Sequence, residues 1–173
     1  CLFHIAKTYQ YFKEKYNIDL KKDTSKEAYH LWDTFRRDSV TSIVEKISTK
    51  VKSISPEILV SVTIVPSIER TYLVTFQNWT KWINKKYVNY VVCMNYTDDE
   101  ELFDLNSESV MLPSIRDNIF MGIGAYLLKN NLDALYKEFK SLKKLSPRGI
   151  VIFSYDDIAT NKNLQNFIRS NFN

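Results

Sequence analysis

Four almost continuously apolar runs recur along the chain, at residues 58–65, 87–94, 119–128 and 149–155. They are rich in β-branched and aromatic side chains, which favour strands. Runs of this length without alternating polar positions are typical of parallel strands that are covered on both faces. The hydrophobic pattern therefore predicts an α/β fold with four parallel strands.

The segments between these runs have apolar residues spaced three or four apart, as in amphipathic helices. This spacing predicts helices over roughly residues 3–17, 78–85 and 132–145, and a short terminal helix over LQNFIRSNF. A longer helix is predicted to end before Pro56, because the residue before a proline disfavours helical geometry. Its expected buried stripe is Leu31, Phe35, Ile43, Val44, Ile47 and Val51.

Glycine is scarce in this chain, which contains only Gly122, Gly124 and Gly149. Neither GxGxxG nor GxxxxGK[ST] occurs, so a Gly-rich phosphate-binding loop is excluded. An open doubly wound sheet usually has such a loop after its first strand, whereas four βα units are half of a (β/α)8 barrel. A single domain over residues 1–173, with no internal boundary, is expected.

Composition bears on the expected partners and on membrane insertion. With 24 basic and 20 acidic residues, a net charge of +4 and no long basic block, nucleic acid is not an expected partner. No apolar stretch approaches the roughly 20 residues of a membrane span. Cys93 lies in an apolar run and is expected to be a reduced thiol of the core. Cys1 could be a lipidated first residue, but no Ser/Gly tether follows it, and a piece of a longer chain is the preferred interpretation.

The loops after the predicted strands carry the polar residues. In a parallel α/β fold, chemistry gathers at the carboxyl ends of the strands, where the loops converge. Those ends comprise residues 66–70 in the predicted loop 66–77, residues 95–99 in the predicted loop 95–101, Tyr126, and residues 154–157. They contain carboxylates, amides, hydroxyls and tyrosines.

The two histidines, His4 and His30, fall far from these strand ends. A zinc site with nitrogen and sulfur ligands and a Ser/His/Asp or Cys/His nucleophile are therefore not expected. We expect no metal ion and no other cofactor. Of the chemistries considered, the strand ends favour carboxylate chemistry on a hydroxyl-rich substrate. The tyrosines there can stack on sugar rings.

Each acidic run also has a structural interpretation. Residues 98–101, DDEE, can be a solvated loop or the first turn of a helix, where acids complement the helix dipole. That interpretation is preferred for the two glutamates, and both interpretations remain open for Asp98. Asp156 and Asp157 can likewise cap the turn that follows them.

Several segments occur in a fixed order: WDTFRRDSVTSIVEKI, SVTIVPS, a W-x-x-W pair followed by YVNYVVCMNYTDD, MGIGAY, and RGIVIFSYDDI. Together they resemble the C-terminal half of glycosyl-hydrolase-like family ten, a family of bacterial proteins. The resemblance runs from about residue 9 to residue 158. It depends on the ordered set of segments rather than on any single motif.

The resemblance implies a (β/α)8 TIM barrel of which this chain supplies about the last four βα units, strands five to eight. It implies a glycosidase that acts on a bacterial poly- or oligosaccharide, with the glycan strands of peptidoglycan as one candidate. The first four strands and a second catalytic carboxylate would precede Cys1, so the fragment alone is expected to be inactive. A secreted, periplasmic or lipoprotein location is also implied.

The resemblance further points to individual residues. Its strand-six motif falls on residues 94–98, and we expect Asp98 to be the general acid/base because it lies beside Tyr96 at the end of a buried strand. Asp156, in the strand-eight motif, is the second candidate. Asn95 and Tyr96 are expected to orient the sugar. The other residues expected to bind substrate are Ser67, Glu69, Tyr126 and Tyr155.

Two other functions remain open from the sequence. A catalytically silent barrel could bind a glycan or a protein partner through the same aromatic mouth. A phosphate- or metal-dependent α/β enzyme could use Asp98 and Asp99 on Mg²⁺, although no phosphate-binding loop accompanies the pair. Half a barrel also leaves two open strand edges, so self-association, or pairing with an N-terminal half, is expected.

Overall fold

A single parallel sheet organises the structure. The computed structural model describes residues 2–171, and side chains from residue 7 onward; Cys1 and the predicted helical residue Phe172 lie outside the described residues. The strands are β1 (Ser61–Ile64), β2 (Tyr90–Asn95), β3 (Ile119–Gly124) and β4 (Gly149–Phe153), in the order β1-β2-β3-β4. Every neighbouring pair is parallel, which confirms the predicted α/β class.

Helices connect and flank the strands. In chain order they are α1 (Leu2–Tyr16), α2 (Lys26–Ile54), α3 (Ile68–Leu73), α4 (Trp79–Asn84), α5 (Glu100–Val110), α6 (Ala125–Leu128), α7 (Leu132–Leu145), α8 (Tyr155–Thr160) and α9 (Lys162–Asn171). The helices predicted from the hydrophobic spacing are confirmed, and α2 ends just before Pro56. Among the described helices, none combines the length and the apolar character that crossing a membrane requires.

Polar side chains fix where several helices begin. At the start of α2, Ser25 Oγ accepts a hydrogen bond from the Ala28 N–H at 3.2 Å. At the start of α7, Asn131 Oδ1 accepts one from the Ala134 N–H, also at 3.2 Å. Asn78 caps α4 in the same way. Each cap satisfies one of the N–H groups that have no partner in a helix's first turn.

The face of the sheet that packs on the helices holds the core. Alternate residues of β2 and β3 point to it and are fully buried: Val91, Cys93, Asn95, Ile119, Met121 and Ile123. Trp79 and Trp82 of α4 and Phe103 of α5 belong to the same buried group. Burial raises the pKa of the free Cys93 thiol to about 12, so Cys93 is a protonated thiol of the core.

Aromatic rings attach α1 to α2. Phe12 is fully buried, and its ring centroid lies 5.0 Å from that of Trp32 and 5.4 Å from that of Phe35. By contrast, Ile43 and Ile47 of α2 are 58% and 53% exposed. That part of the predicted buried stripe is therefore wrong for the described chain, since it faces solvent.

The opposite face of the sheet, called the inner face below, is only partly covered by the described residues. Val151 and Phe153 on this face are 36% and 50% exposed, and Thr63 is exposed as well. The prediction that all four strands are covered on both faces is therefore wrong here. In a closed barrel, side chains from opposite strands fill the corresponding space.

Several boundaries differ from those predicted. β1 begins at Ser61, and the preceding Ile58 and Leu59 are exposed. β3 ends at Gly124, and the last four residues of the predicted third strand form α6. β4 ends at Phe153. The helix α3 occupies part of the predicted loop 66–77, and α5 extends to Val110, where the sequence indicates at most a first helical turn at the acids 98–101.

Candidate functional site

The carboxyl ends of β2, β3 and β4 lie side by side, because these strands are parallel and adjacent. The register pairs Asn95 with Ile123 across β2 and β3, and Gly124 with Phe153 across β3 and β4. Residues 96–99, called the rim loop below, connect β2 to α5. Part of the predicted site is thereby brought to one edge of the sheet.

Three side chains, Tyr96, Tyr126 and Phe153, form an aromatic cluster at this edge. The rings of Tyr96 and Phe153 are stacked, with centroids 5.4 Å apart and planes inclined by 16°. Tyr126 packs edge-on against both rings, with its centroid 6.2 Å from each. Because Phe153 stays 50% exposed, the cluster presents an apolar ring surface on the inner face.

Two glycines of β3 make room for the aromatic cluster. A Cβ atom at Gly124 would lie 3.1 Å from Tyr96 Cβ. A Cβ atom at Gly122 would lie 2.7 Å from the Cys93 carbonyl oxygen and 3.2 Å from the Tyr96 ring. A larger residue at either position would displace Tyr96 or the neighbouring strand.

Tyr96 is a neutral hydrogen-bonding group in this setting. Burial, followed by the neighbouring Tyr126 and Cys93, raises the pKa of the Tyr96 phenol above its ordinary value. At physiological pH the phenol therefore keeps its proton and can donate a hydrogen bond. Tyr96 and Tyr126, both predicted to contact substrate, lie together in the structure.

Asp98 and Asp99 are adjacent but have different surroundings. Asp99 Oδ1 accepts a hydrogen bond from the Leu102 N–H at 2.9 Å and caps α5. The Asp99 N–H donates to Thr97 Oγ1 at 3.2 Å. Asp98 is exposed, and no described residue forms a hydrogen bond with it. The two glutamates that follow form the acidic first turn of α5, as the structural interpretation predicts.

The end of β4 leads directly into α8. Ser154 Oγ donates to Asp157 Oδ2 at 2.6 Å, which holds Asp157 in the first turn of that helix. Asp156 is exposed in the same turn, and Tyr155 is 79% exposed. Phe153, which the sequence analysis does not assign to the site, joins the aromatic cluster, whereas no ring contact links Tyr155 to it among the described residues.

Asn95 does not lie where the sequence prediction needs it. Its side chain is fully buried on the helix-facing side of β2. Nδ2 donates to the Phe103 carbonyl oxygen at 2.8 Å and to Ser107 Oγ at 3.0 Å, and Oδ1 accepts from Asn106 Nδ2 at 3.0 Å. The amide of Asn95 is therefore occupied by α5, and a role in orienting a sugar does not fit this geometry.

Ser67 and Glu69 form a separate polar group at the end of β1. Ser67 Oγ donates to Glu69 Oε2 at 3.0 Å and accepts from the Arg70 N–H at 3.3 Å, so that it caps α3. Glu69 itself is exposed. The pair lies at the strand next to β2, on the same edge of the sheet as the rim loop.

A buried acid that the sequence analysis does not single out lies on α7. Glu138 is 2% exposed, and its Oε2 atom has no hydrogen-bond partner among the described residues. Burial first, and then the charges of Asp104, Asp98 and Glu100, raise the pKa of Glu138 to about 8. The sequence does contain a feature that indicates a buried acid, because Glu138 lies next to Phe139 within the apolar stripe of a predicted helix.

The acids at this edge do not form a metal-binding set. Among residues 2–171, no group of three or more His, Cys, Asp or Glu side chains is placed to hold a metal ion. Asp99, one of the two acids in the Mg²⁺ hypothesis, already caps α5 through its carboxylate.

A parallel sheet with helices on one face, and with polar and aromatic residues at the carboxyl ends of its strands, is consistent with part of a TIM barrel. The chain belongs to the glycosyl hydrolase-like 10 family, whose profile matches residues 4–134. This match confirms the resemblance drawn from the ordered motifs. A search of curated proteins gives no significant match.

Among solved structures, the chain is similar to the PgaB (BpsB) glycoside hydrolase domain from Bordetella bronchiseptica. The TM-score is 0.65 at 12% sequence identity, so the likeness is one of fold. The match covers 84% of this chain and 45% of that one, so this chain spans less than half the length of that domain.

Proposed function

We propose that the chain forms the last four βα units, strands five to eight, of a (β/α)8 barrel that hydrolyses glycosidic bonds in a bacterial poly- or oligosaccharide. The observation that carries the proposal is that one loop contains both a ring of the aromatic cluster and an exposed carboxylate: Tyr96 begins the rim loop, and Asp98 follows two residues later. Stacked rings offer a flat apolar surface on which a sugar can pack, and the carboxylate can transfer a proton.

Most glycosidases use two carboxylates, roughly 5 Å apart when they retain configuration and about 6.5–9.5 Å apart when they invert it. We assign Asp98 as the general acid/base, which protonates the glycosidic oxygen as its bond to the sugar breaks. Asp156, exposed in the first turn of α8, is the second candidate within this chain. The other carboxylate would come from the half of the barrel that precedes this chain. Glycan strands of peptidoglycan are one candidate substrate.

The proposal predicts that Asp98→Asn lowers kcat by about 10²–10⁴, the usual contribution of a general acid/base. Folding should be unaffected, because Asp98 is exposed and forms no hydrogen bond with a described residue. The measurement is the release of reducing ends from bacterial glycans by the complete protein that contains this chain, together with its thermal unfolding.

Glu101→Gln is the matched control, since Glu101 is an exposed acid three residues further along, in the first turn of α5. The control should leave turnover close to that of the wild type. Turnover near the wild-type value in Asp98→Asn would remove Asp98 from the mechanism and make Asp156 the next residue to test.

A catalytically silent barrel that binds glycan is a second candidate function. The exposure of Phe153 favours it, because a stacking surface needs no carboxylate to bind a sugar. The two functions are separated by measuring binding and cleavage on the same glycan. Binding by the complete protein without release of reducing ends would support the silent barrel.

A further inference from the structure

Glu138 lies in the contact between α5 and α7, and few polar contacts offset the free-energy cost of burying its carboxyl group. Its side chain is 2% exposed on the same side of α7 as the buried Leu135 and Leu142. Its Oε2 atom has no hydrogen-bond partner among residues 2–171. A buried carboxylate oxygen without a hydrogen-bond partner is costly in free energy, so such a position in a native fold calls for an explanation.

Two links between α5 and α7 lie on either side of Glu138. Lys137 Nζ forms an ion pair with Glu100 Oε2 at 2.8 Å. Ser141 Oγ donates to Asp104 Oδ1 at 2.5 Å. The first two turns of α5 are therefore attached to the stretch of α7 that contains Glu138, and a charge on Glu138 would act directly on this contact.

The helix α5 is in turn attached to the rim loop. Asn95, the last residue of β2, is hydrogen-bonded to three residues of α5. Asp99, the last residue of the rim loop, caps the same helix. Because both ends of the rim loop are fixed to α5, a displacement of α5 changes the position of Asp98.

The charged groups that act on Glu138 are all negative. Asp104 and Glu100 face it from α5, and Asp98 faces it from the rim loop. Lys137, its neighbour on α7, is engaged by Glu100. The strand β3 contains no ionisable side chain, and the one such group of α6, Tyr126, belongs to the aromatic cluster. Ionised Glu138 would therefore be repelled by its neighbours.

We propose that Glu138 is a positioning residue whose neutral carboxyl allows α5 to pack against α7, and whose ionisation releases α5 and the rim loop. The mechanical part of this proposal stands on the contacts of α5 alone. Its consequence for catalysis, loss of the position of Asp98, rests on the function proposed above. The chain thus contains a proton-dependent element behind its candidate site.

The direction of the pH effect follows from the pKa of Glu138. That pKa is about 8 in the folded chain against an ordinary value of 4.5, so the folded state holds the proton more tightly than an opened state does. The contribution of Glu138 to the α5–α7 contact is therefore largest below about pH 4.5 and is lost as the pH rises towards 8. Above that pH no further weakening comes from this group.

Hydrogen exchange of the complete protein, followed by mass spectrometry on peptides from residues 96–110, tests the proposal. After division by the chemical exchange rate, the data give the equilibrium constant for the opening of α5. This constant should increase more than about tenfold between pH 6 and 8, since each pH unit can change it up to tenfold. Glu138→Gln, which is neutral and similar in shape, should remove this dependence. Glu108→Gln, an exposed acid of α5, should keep it.

A second variant covers the case in which Glu138→Gln does not fold. Asp104→Asn keeps a polar partner for Ser141 but removes the neighbouring charge that raises the pKa of Glu138 most. The midpoint of the opening transition should therefore move to lower pH. A pH dependence identical in wild type, Glu138→Gln and Asp104→Asn would overturn the proposal. So would an unmoved midpoint in Asp104→Asn taken alone.

Activity separates this proposal from the proposed function. If both are correct, the alkaline fall of kcat/KM on a cleaved glycan is lost in Glu138→Gln, whereas the acidic limb remains. A protein that shows the exchange transition but cleaves no glycan would reject the proposed function while leaving Glu138 as a positioning group of α5. Cleavage with an exchange profile unaffected by either variant would reject the role of Glu138.

Discussion

The Phe153 side chain is half exposed although one face of its ring stacks on Tyr96. Exposed apolar surface costs roughly 25 cal/mol per Å² relative to buried surface. A ligand that covers the ring would recover that free energy. We expect Phe153 to contribute more to glycan binding than Tyr155, because Phe153 is fixed in the aromatic cluster and no ring contact fixes Tyr155 among the described residues.

Phe153→Ala should weaken the binding of glycan oligosaccharides about 2- to 10-fold, because an aromatic contact is worth roughly 0.5–1.5 kcal/mol. KM should rise more than kcat falls, since the ring lies beside the sugar and does not transfer a proton. Isothermal titration calorimetry and steady-state kinetics on the complete protein measure the two effects. Leu105→Ala, which removes an exposed apolar side chain of α5, is the control and should change neither.

Single residues of the site could be predicted only in part, and β2 shows why. Its sequence, YVVCMN, is apolar at both alternating sets of positions, so the pattern alone cannot tell which set faces the helices. Tyr96 continues the set on the inner face and joins the aromatic cluster. Asn95 continues the set of Val91 and Cys93, which faces the helices, and so its predicted contact with substrate does not fit.

At the level of elements, α5 is the longest of the described helices that the hydrophobic pattern does not predict. Its buried positions are Phe103, Ser107 and Val110, at helical spacing. The middle position is polar because Ser107 accepts a hydrogen bond from Asn95, and this interrupts the apolar stripe. The helix is thus held by a buried polar contact, which a pattern of apolar residues cannot indicate. The apolar stripe of α7 is nearly continuous, and that helix could be predicted.

Asn95→Ala should lower the free energy of unfolding by about 2–3 kcal/mol, since it leaves the partners in α5 without their hydrogen bonds in a buried setting. Urea unfolding followed by circular dichroism measures the loss. Asn106→Ala removes one of the three hydrogen bonds of Asn95, from a half-buried residue, and should cost less, about 1–1.5 kcal/mol. Equal losses in the two variants would mean that Asn95 does not fix α5 to the sheet.

At the scale of the whole molecule, exposed apolar side chains lie on the inner face, on α2 and before β1, and others lie on α3 and α5. They include Ile43, Ile47, Ile54, Ile58, Leu59, Val151 and Phe153. The four parallel strands could be predicted because each has a strong apolar signal of its own. The exposure of the inner face could not be predicted, because the interior of a barrel is filled by side chains from opposite strands. The match to 45% of the PgaB domain agrees with a sheet that would be completed by further strands.

We therefore expect residues 1–173 alone to self-associate through the inner face and the free edges of β1 and β4, because unpaired edges and exposed apolar surface favour pairing. Size-exclusion chromatography with light scattering should show dimers or larger species at micromolar concentration. Val151→Lys, which places a charge on the inner face, should shift the distribution towards monomer. Tyr136→Lys changes a side chain of α7 that is 46% exposed and should have no such effect. A stable, monodisperse monomer of the unaltered chain would show that the inner face needs no partner, and the half-barrel interpretation would then fail.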